Sequence, residues 1–452
     1  MSGSFFADLL MSVTDRGRAL LGRTEGVGPA GLDGLLSQCE SLLSGRGEAT
    51  GLAIAQDILS RFAALAEDDR LAFFQALATR FGAEPERFRR ALAEWQEEPT
   101  DDHAAALHFA SEPRRQELFR RLNRAPGGTE CLVAMRADLL GCLRGQPALK
   151  STDEDFLHLF SSWFNRGFLV LRRIDWSTPA IVLDKIIRYE AVHEIQDWDD
   201  LRGRIDPPDR RCYAFFHPAL ANEPLIFVEV ALTRETPEAI GAVLAERPEP
   251  LEAGAASTAV FYSISNCQRG LQGVSFGNFL IKQVVDELAR DLPDIETFVT
   301  LSPVPGFAAW LRGLAESDPE GLLGADEATL TARLGDSDWH RDPATVTALK
   351  PVLLRLAAQY FLLAKTRRGE PPDPVARFHL GNGAQLERIN WLGDSSEKGL
   401  SQGAGLMVNY RYELKQVERN HEAYANQGEI AAASAVTRLL KAAPHNEQRK
   451  KA

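Results

Sequence analysis

The sequence predicts an α+β protein, with an all-helical N-terminal domain over residues 1–150 and a mixed-sheet domain with helical insertions over 151–452. Three observations carry this. Apolar residues recur at helical spacing from about residue 30 to 148. β-rich segments bounded by Pro, Gly or Asn follow from Arg211 onward. Their order, three strands, a helix and a further strand, argues for a largely antiparallel sheet with one βαβ unit.

In the first domain Ile54, Ile58, Phe62 and Leu65 share one helix face, and Leu71, Phe74, Leu77 and Phe81 repeat the pattern. Ser111 before Glu112-Pro113 reads as an N-cap, and Pro126-Gly127-Gly128-Thr129 as a break followed by a new cap. No cluster of polar groups suited to catalysis stands out, so this domain reads as an interaction or oligomerisation bundle. After Ser151 the sequence predicts a helix near Glu154 to Phe164, an extended Gly167 to Ile174, and a helix opening at Ser177-Thr178-Pro179. Strands are expected at Arg211 to Phe216, Leu225 to Thr233, Thr258 to Ser265 and Thr297 to Leu301, with a helix over Phe279 to Leu288. Helices return between Phe307 and Arg368, ending in the apolar Val352 to Ala364. The stiff Gly369–Pro374 connector then delivers Phe378-His379. Beyond Tyr412 a single charged, alanine-rich helix is expected to about Lys441, followed by a basic tail.

Composition narrows the function. The chain has 452 residues, 44% apolar and 25% charged, and no uncharged apolar run approaches the roughly 20 residues that span a bilayer. No membrane partner is expected. A net charge of −12 offers no broad attractive field for nucleic acid, so an anionic ligand would need a locally basic or dipolar site. The five cysteines form no CxxC pair, and the histidines lack zinc-ligand spacing, so no metal is expected. Asp8 interrupts the short apolar stretch Phe5 to Met11, and the chain does not end in Ser-Lys-Leu, which makes the cytoplasm the expected location.

Phe261 to Gly277 is the most informative stretch: a strand runs through a glycine-rich turn, with Gly270, Gly273 and Gly277, into a helix. Backbone N–H groups there, aided by the positive end of the following helix, suit phosphate oxygens without bulk positive charge. A ligand-free strand-to-helix turn would look the same. Gly273-Val274-Ser275-Phe276-Gly277 also fits the G-x-S-x-G nucleophile elbow, with Asp373 and His379 in the right chain order for a hydrolase. A hydrolase would need parallel βα units upstream, where this chain is helical.

Gln268-Arg-Gly-Leu-Gln-Gly273 resembles the turn with which the N-acetyltransferase (GNAT) superfamily cradles the coenzyme A pyrophosphate, departing from it at Leu271, where that pattern has glycine. A wider set is more specific. Ser161 to Leu171, Tyr189 to His193, Phe261 to Gln272, Leu301-Ser-Pro-Val-Pro-Gly-Phe307, Phe378-His-Leu-Gly-Asn-Gly-Ala384, Ile389-Asn-Trp391 and Asn409-Tyr-Arg-Tyr412 together resemble the malonyl-CoA decarboxylase family over about residues 150 to 415. The resemblance implies a GNAT-like catalytic domain behind a helical domain that mediates self-association, giving a homo-oligomer. It implies that malonyl-CoA is the substrate, with acetyl-CoA and carbon dioxide as products. It further implies that Gln272, Gly273, Val274, Ser275, Phe276, Gly277 and Asn278 bind coenzyme A, and that Ser302 contacts the malonyl group. His379 would be the proton donor, with Tyr412 near the pocket.

The chemistry is consistent with those residues. Loss of carbon dioxide from a malonyl thioester leaves an enolate that the thioester carbonyl itself accepts, so no cofactor is expected. The protein must supply donors to the oxyanion, a dry pocket and an acid for the α-carbon. Ser302 can donate, and His379 can donate and protonate. Outside this motif set, Ser302 before Pro303 would read as a turn organiser and His379 as a satisfied core histidine. A coenzyme A-dependent acyltransferase and a silent acyl-CoA sensor remain compatible with the loop alone.

Overall fold

A computed structural model describes residues 31–45, 47–245, 249–274, 280–318 and 321–442. The chain forms two compact units. One comprises Met1–Val170 with Phe216–Leu225 and Cys267–Phe276. The other comprises Leu171–Phe215, Ile226–Asn266 and Gly277–Ala452.

The first unit is helical, with Leu32–Leu43, Glu48–Ala63, Glu67–Arg80, Pro85–Glu97, Asp101–Ser111, Arg114–Asn123, Gly128–Cys142 and Lys150–Trp163 among the described residues. The apolar stripes drive their packing. Ile54, Ile58, Phe62, Phe74, Leu77 and Phe81 are buried, and Phe62 meets the Phe73 and Phe74 rings at 5.2 and 5.7 Å. Phe119 stacks on Phe156 at 4.0 Å. Ser111 differs from expectation. It ends one helix, its hydroxyl donating to His108 O at 2.7 Å, and Pro113 takes the N-cap position of the next. The proline already fixes the extended entry that a capping serine would provide.

The second unit holds all but a few end residues of the mixed sheet: β1 (Val170–Ile174), β2 (Arg210–Phe216), β3 (Pro224–Thr233), β4 (Thr258–Asn266), β5 (Thr297–Thr300), β6 (Ser302–Pro303), β7 (Gln385–Asn390) and β8 (Met407–Arg411). Their order is β1-β2-β3-β4-β5-β8-β6, with β7 also paired to β8. β3 and β4 are antiparallel with a bulge at Glu229/Val230. β4 and β5 are parallel from Thr258↔Thr297 to Phe261↔Thr300, joined through the helix Leu280–Asp291, which is the expected βαβ unit. β5, β6 and β7 all run antiparallel to β8. Ala231, Ile240, Val243, Val260, Tyr262, Val299, Leu301 and Met407 form a buried cluster on the sheet. The expected α+β class, with a mixed sheet behind a helical region, follows from this topology.

The expected single C-terminal helix is two. Val417–Gln427 stops at Gly428 (φ 67°), where Gly428 N–H and Glu429 N–H donate back to Tyr424 O and Ala423 O. Ser434–Leu439 then follows. Glycine is the residue that takes this left-handed cap cheaply, and the alanine-rich stretch that follows does not override it.

Candidate active site

Ser302 opens β6 opposite Val408, where the chain leaves β5 and crosses to β8. His379 lies in the last turn of the helix Pro374–Gly381. That helix begins where it does because Asp373 caps it, accepting from Val375 N–H and Ala376 N–H at 3.0 and 2.9 Å, with Pro374 in the first turn. The same carboxylate accepts from Gly306 N–H at 3.4 Å and Tyr360 O–H at 3.3 Å. One buried side chain thus ties the Ser302–Gly306 turn to the helix that carries His379.

These elements bring Ser302 Oγ to 3.1 Å from His379 Nε2, while His379 Nδ1 lies 2.8 Å from Tyr412 Oη. Ser302 donates to Thr300 Oγ1 at 2.9 Å. The Tyr410 ring stacks on the imidazole at 4.6 Å between centroids. All five residues are buried, His379 to 2% exposure. Burial without a charged partner pushes the imidazole down to about 3, so the ring is neutral near pH 7. A helix C-terminus favours a cation by up to about 2 kcal/mol, which this desolvation outweighs. Burial likewise holds the Tyr412 phenol well above its ordinary value, as a protonated donor.

The sequence also offered Asp373 and His379 as partners for a Ser275 nucleophile. Asp373 faces its own helix, Gly306 and Tyr360, while His379 turns its second nitrogen to Tyr412, so the acid–histidine pair that the hydrolase alternative requires does not form. Ser275, Phe276, Gly277 and Asn278 lie outside the described residues.

Gln272, Gly273 and Val274 follow a short 3-10 turn, Arg269–Leu271, in the helical unit. Gln272 N–H and Val274 N–H are engaged in turns to Arg269 O and Leu271 O, both at 3.0 Å. Gly273 has φ 83° and is exposed, the left-handed conformation that spares only glycine. A Cβ at Gly270 would stand 1.9 Å from Val133 O, so that glycine is required by close approach to the helix Gly128–Cys142. From the same helix, Arg136 donates through Nη1 to Gly270 O and Gln272 O, each at 2.8 Å, and through Nε to Asp153 at 2.8 Å.

Three contributors were not singled out from sequence. Thr300 and Tyr410 each stand two residues before a chosen one, Ser302 and Tyr412, and the period of a strand puts such pairs on one face. That signal was available. Arg136 lies within the helix Gly128–Cys142 with nothing local to mark it.

Two family models match this chain. A family model described as malonyl-CoA decarboxylase N-terminal domain matches residues 81–164, and one described as malonyl-CoA decarboxylase C-terminal domain matches residues 167–450. The crystal structure of malonyl-CoA decarboxylase from Rhodopseudomonas palustris superimposes with a TM-score of 0.89 at 56% identity, covering 91% of this chain and 100% of that one. The enzyme from Agrobacterium vitis gives 0.86 at 53% identity, covering 90% and 99%. The mitochondrial malonyl-CoA decarboxylase of Anser anser anser is 42% identical over 348 residues, 72% of this chain and 69% of that protein. With family models matched over residues 81–164 and 167–450, and with relatives of this identity along most of its length, the chain belongs to the malonyl-CoA decarboxylase family.

Proposed function

We propose that this protein decarboxylates malonyl-CoA to acetyl-CoA and carbon dioxide, with His379 protonating the enolate and Ser302 donating a hydrogen bond to the thioester or carboxylate. The observation that supports this most directly is the buried chain Tyr412–His379–Ser302–Thr300, with contacts of 2.8, 3.1 and 2.9 Å. In the reaction the bond between the carboxylate carbon and the α-carbon breaks, and its electron pair passes into the thioester as an enolate. A proton from Nε2 then forms the new C–H bond, and solvent returns one proton to the ring.

A neutral imidazole does not conflict with this role. A malonyl carboxylate brought beside the ring favours its charged form, so His379 gains its second proton with the substrate. The burial that lowers the ring would also disfavour the substrate's carboxylate, which decarboxylation removes. Coenzyme A is assigned to the backbone of Gln272 to Asn278, with Arg136 holding the start of that loop. Self-association is assigned to the helical domain.

The test is purified protein with malonyl-CoA, with and without an amine acceptor. Acetyl-CoA and carbon dioxide in equal amounts, independent of amine, support the decarboxylase. Amine-dependent release of free coenzyme A without carbon dioxide supports an acyltransferase, and no turnover supports a sensor.

A further inference from the structure

We infer that Thr300 is a positioning residue that decides which nitrogen of His379 carries the proton. Thr300 Oγ1 accepts two hydrogen bonds, from Tyr410 N–H at 3.1 Å and from the Ser302 hydroxyl at 2.9 Å. Its own place is fixed, because Asn409 Nδ2 donates to Thr300 O at 2.8 Å. A serine hydroxyl has one proton to give. With that proton directed to Thr300, the Ser302 oxygen presents only lone pairs to the His379 nitrogen 3.1 Å away, and Nε2 must be the donor. A neutral imidazole has a single N–H, so Nδ1 is the acceptor. Its 2.8 Å contact to Tyr412 is then filled by the phenol proton.

Before substrate binds, the four groups therefore donate in one direction, from Tyr412 through His379 and Ser302 to Thr300, and the Ser302 hydroxyl turns from Thr300 to the malonyl group only in the substrate complex. Two consequences follow, both resting on the assignment of His379 as proton donor to the α-carbon. The transferable proton is held on the nitrogen that faces Ser302, the residue assigned to the malonyl group. Ser302 is also kept from handing its proton to the imidazole, so the pair is not arranged as a serine nucleophile with its base.

Thr300→Val keeps the shape of the side chain and removes its acceptor, leaving the Ser302 hydroxyl to turn to Nε2 and moving the ring proton to Nδ1. Thr300→Ser keeps the hydroxyl. The test is nitrogen-15 NMR of histidine-labelled, substrate-free protein, with the His379 signals identified by their loss in His379→Asn. Wild type and Thr300→Ser are expected to show a protonated Nε2 and a bare Nδ1, and Thr300→Val the reverse. In turnover, Thr300→Val should lose about tenfold or more in kcat with KM within about threefold, and Thr300→Ser should recover most of it. A wild-type ring protonated on Nδ1 would overturn the inference even if Thr300→Val does not fold, as would a Thr300→Val ring unchanged from wild type. The tautomer is read without substrate, so a wild-type protein that fails to release carbon dioxide would instead overturn the decarboxylase reading.

Discussion

Ser302 Oγ lies 3.1 Å from His379 Nε2, although 77 residues separate them in the chain. The two arrive from different elements, a strand switch in the sheet and the last turn of a capped helix, and both are buried. If they act on one transition state, their losses do not multiply. Ser302→Ala should reduce kcat by about 10²-fold, and Ser302→Ala combined with His379→Asn should lose less than the product of the single effects. Steady-state kinetics of the two single variants and the double variant measure this.

Asp373 should matter through position. Asp373→Ala removes the helix cap and the ties to Gly306 N–H and Tyr360 O–H, with an expected loss of about 1–2 kcal/mol of stability and a fall in kcat. Asp373→Asn keeps an acceptor oxygen and should lie between that variant and wild type. Urea denaturation alongside kcat separates the two effects.

Arg136 should act on substrate affinity. Arg136→Met gives up both carbonyl contacts to Gly270 and Gln272 while retaining an unbranched apolar stem. KM for malonyl-CoA is expected to rise about tenfold with kcat within about threefold. An unchanged KM would separate this loop from the coenzyme.

Acid should destabilise the fold through its buried histidines. Burial lowers His379 to about 3 and His193 to about 4, against about 6.5 in an unfolded chain. Between those values the unfolded state binds more protons. The stability these groups contribute is complete above about pH 6.5 and is lost as pH falls toward 3, at up to about 1.4 kcal/mol per pH unit for each. Glu229, raised to about 8 chiefly by burial, works in the opposite sense between 4.5 and 8. His379→Asn should flatten the fall in unfolding free energy between pH 6.5 and 4, as measured by urea titrations at several pH values.

The helical domain should drive assembly. Light scattering is expected to show the intact protein as an oligomer, and a strict monomer would refute that role.

Much of this was legible in the sequence because it is local. The strands at 258–265 and 297–301, and the helix between them, show in residue type and spacing, and they specify the parallel β4–β5 pair. The glycine turn carries its own signal, whereas the helix that begins at Asp373-Pro374 reads in the sequence as the end of a connector. What was not legible is who meets whom across long separations. The Asp373 tie to Gly306, the Arg136 grip on the loop and the His379–Tyr412 contact are products of packing. The divided C-terminal helix turned on one residue, Gly428, whose left-handed backbone outweighs the helix preference of its neighbours.

Turnover of malonyl-CoA by wild type and His379→Asn, followed by release of labelled carbon dioxide, tests the central claim most directly. Asparagine keeps a hydrogen bond but has no proton to transfer, so kcat should fall by roughly 10²–10⁴-fold while malonyl-CoA binding changes far less. A His379→Asn enzyme with near-normal turnover would contradict the account and remove His379 from the chemistry.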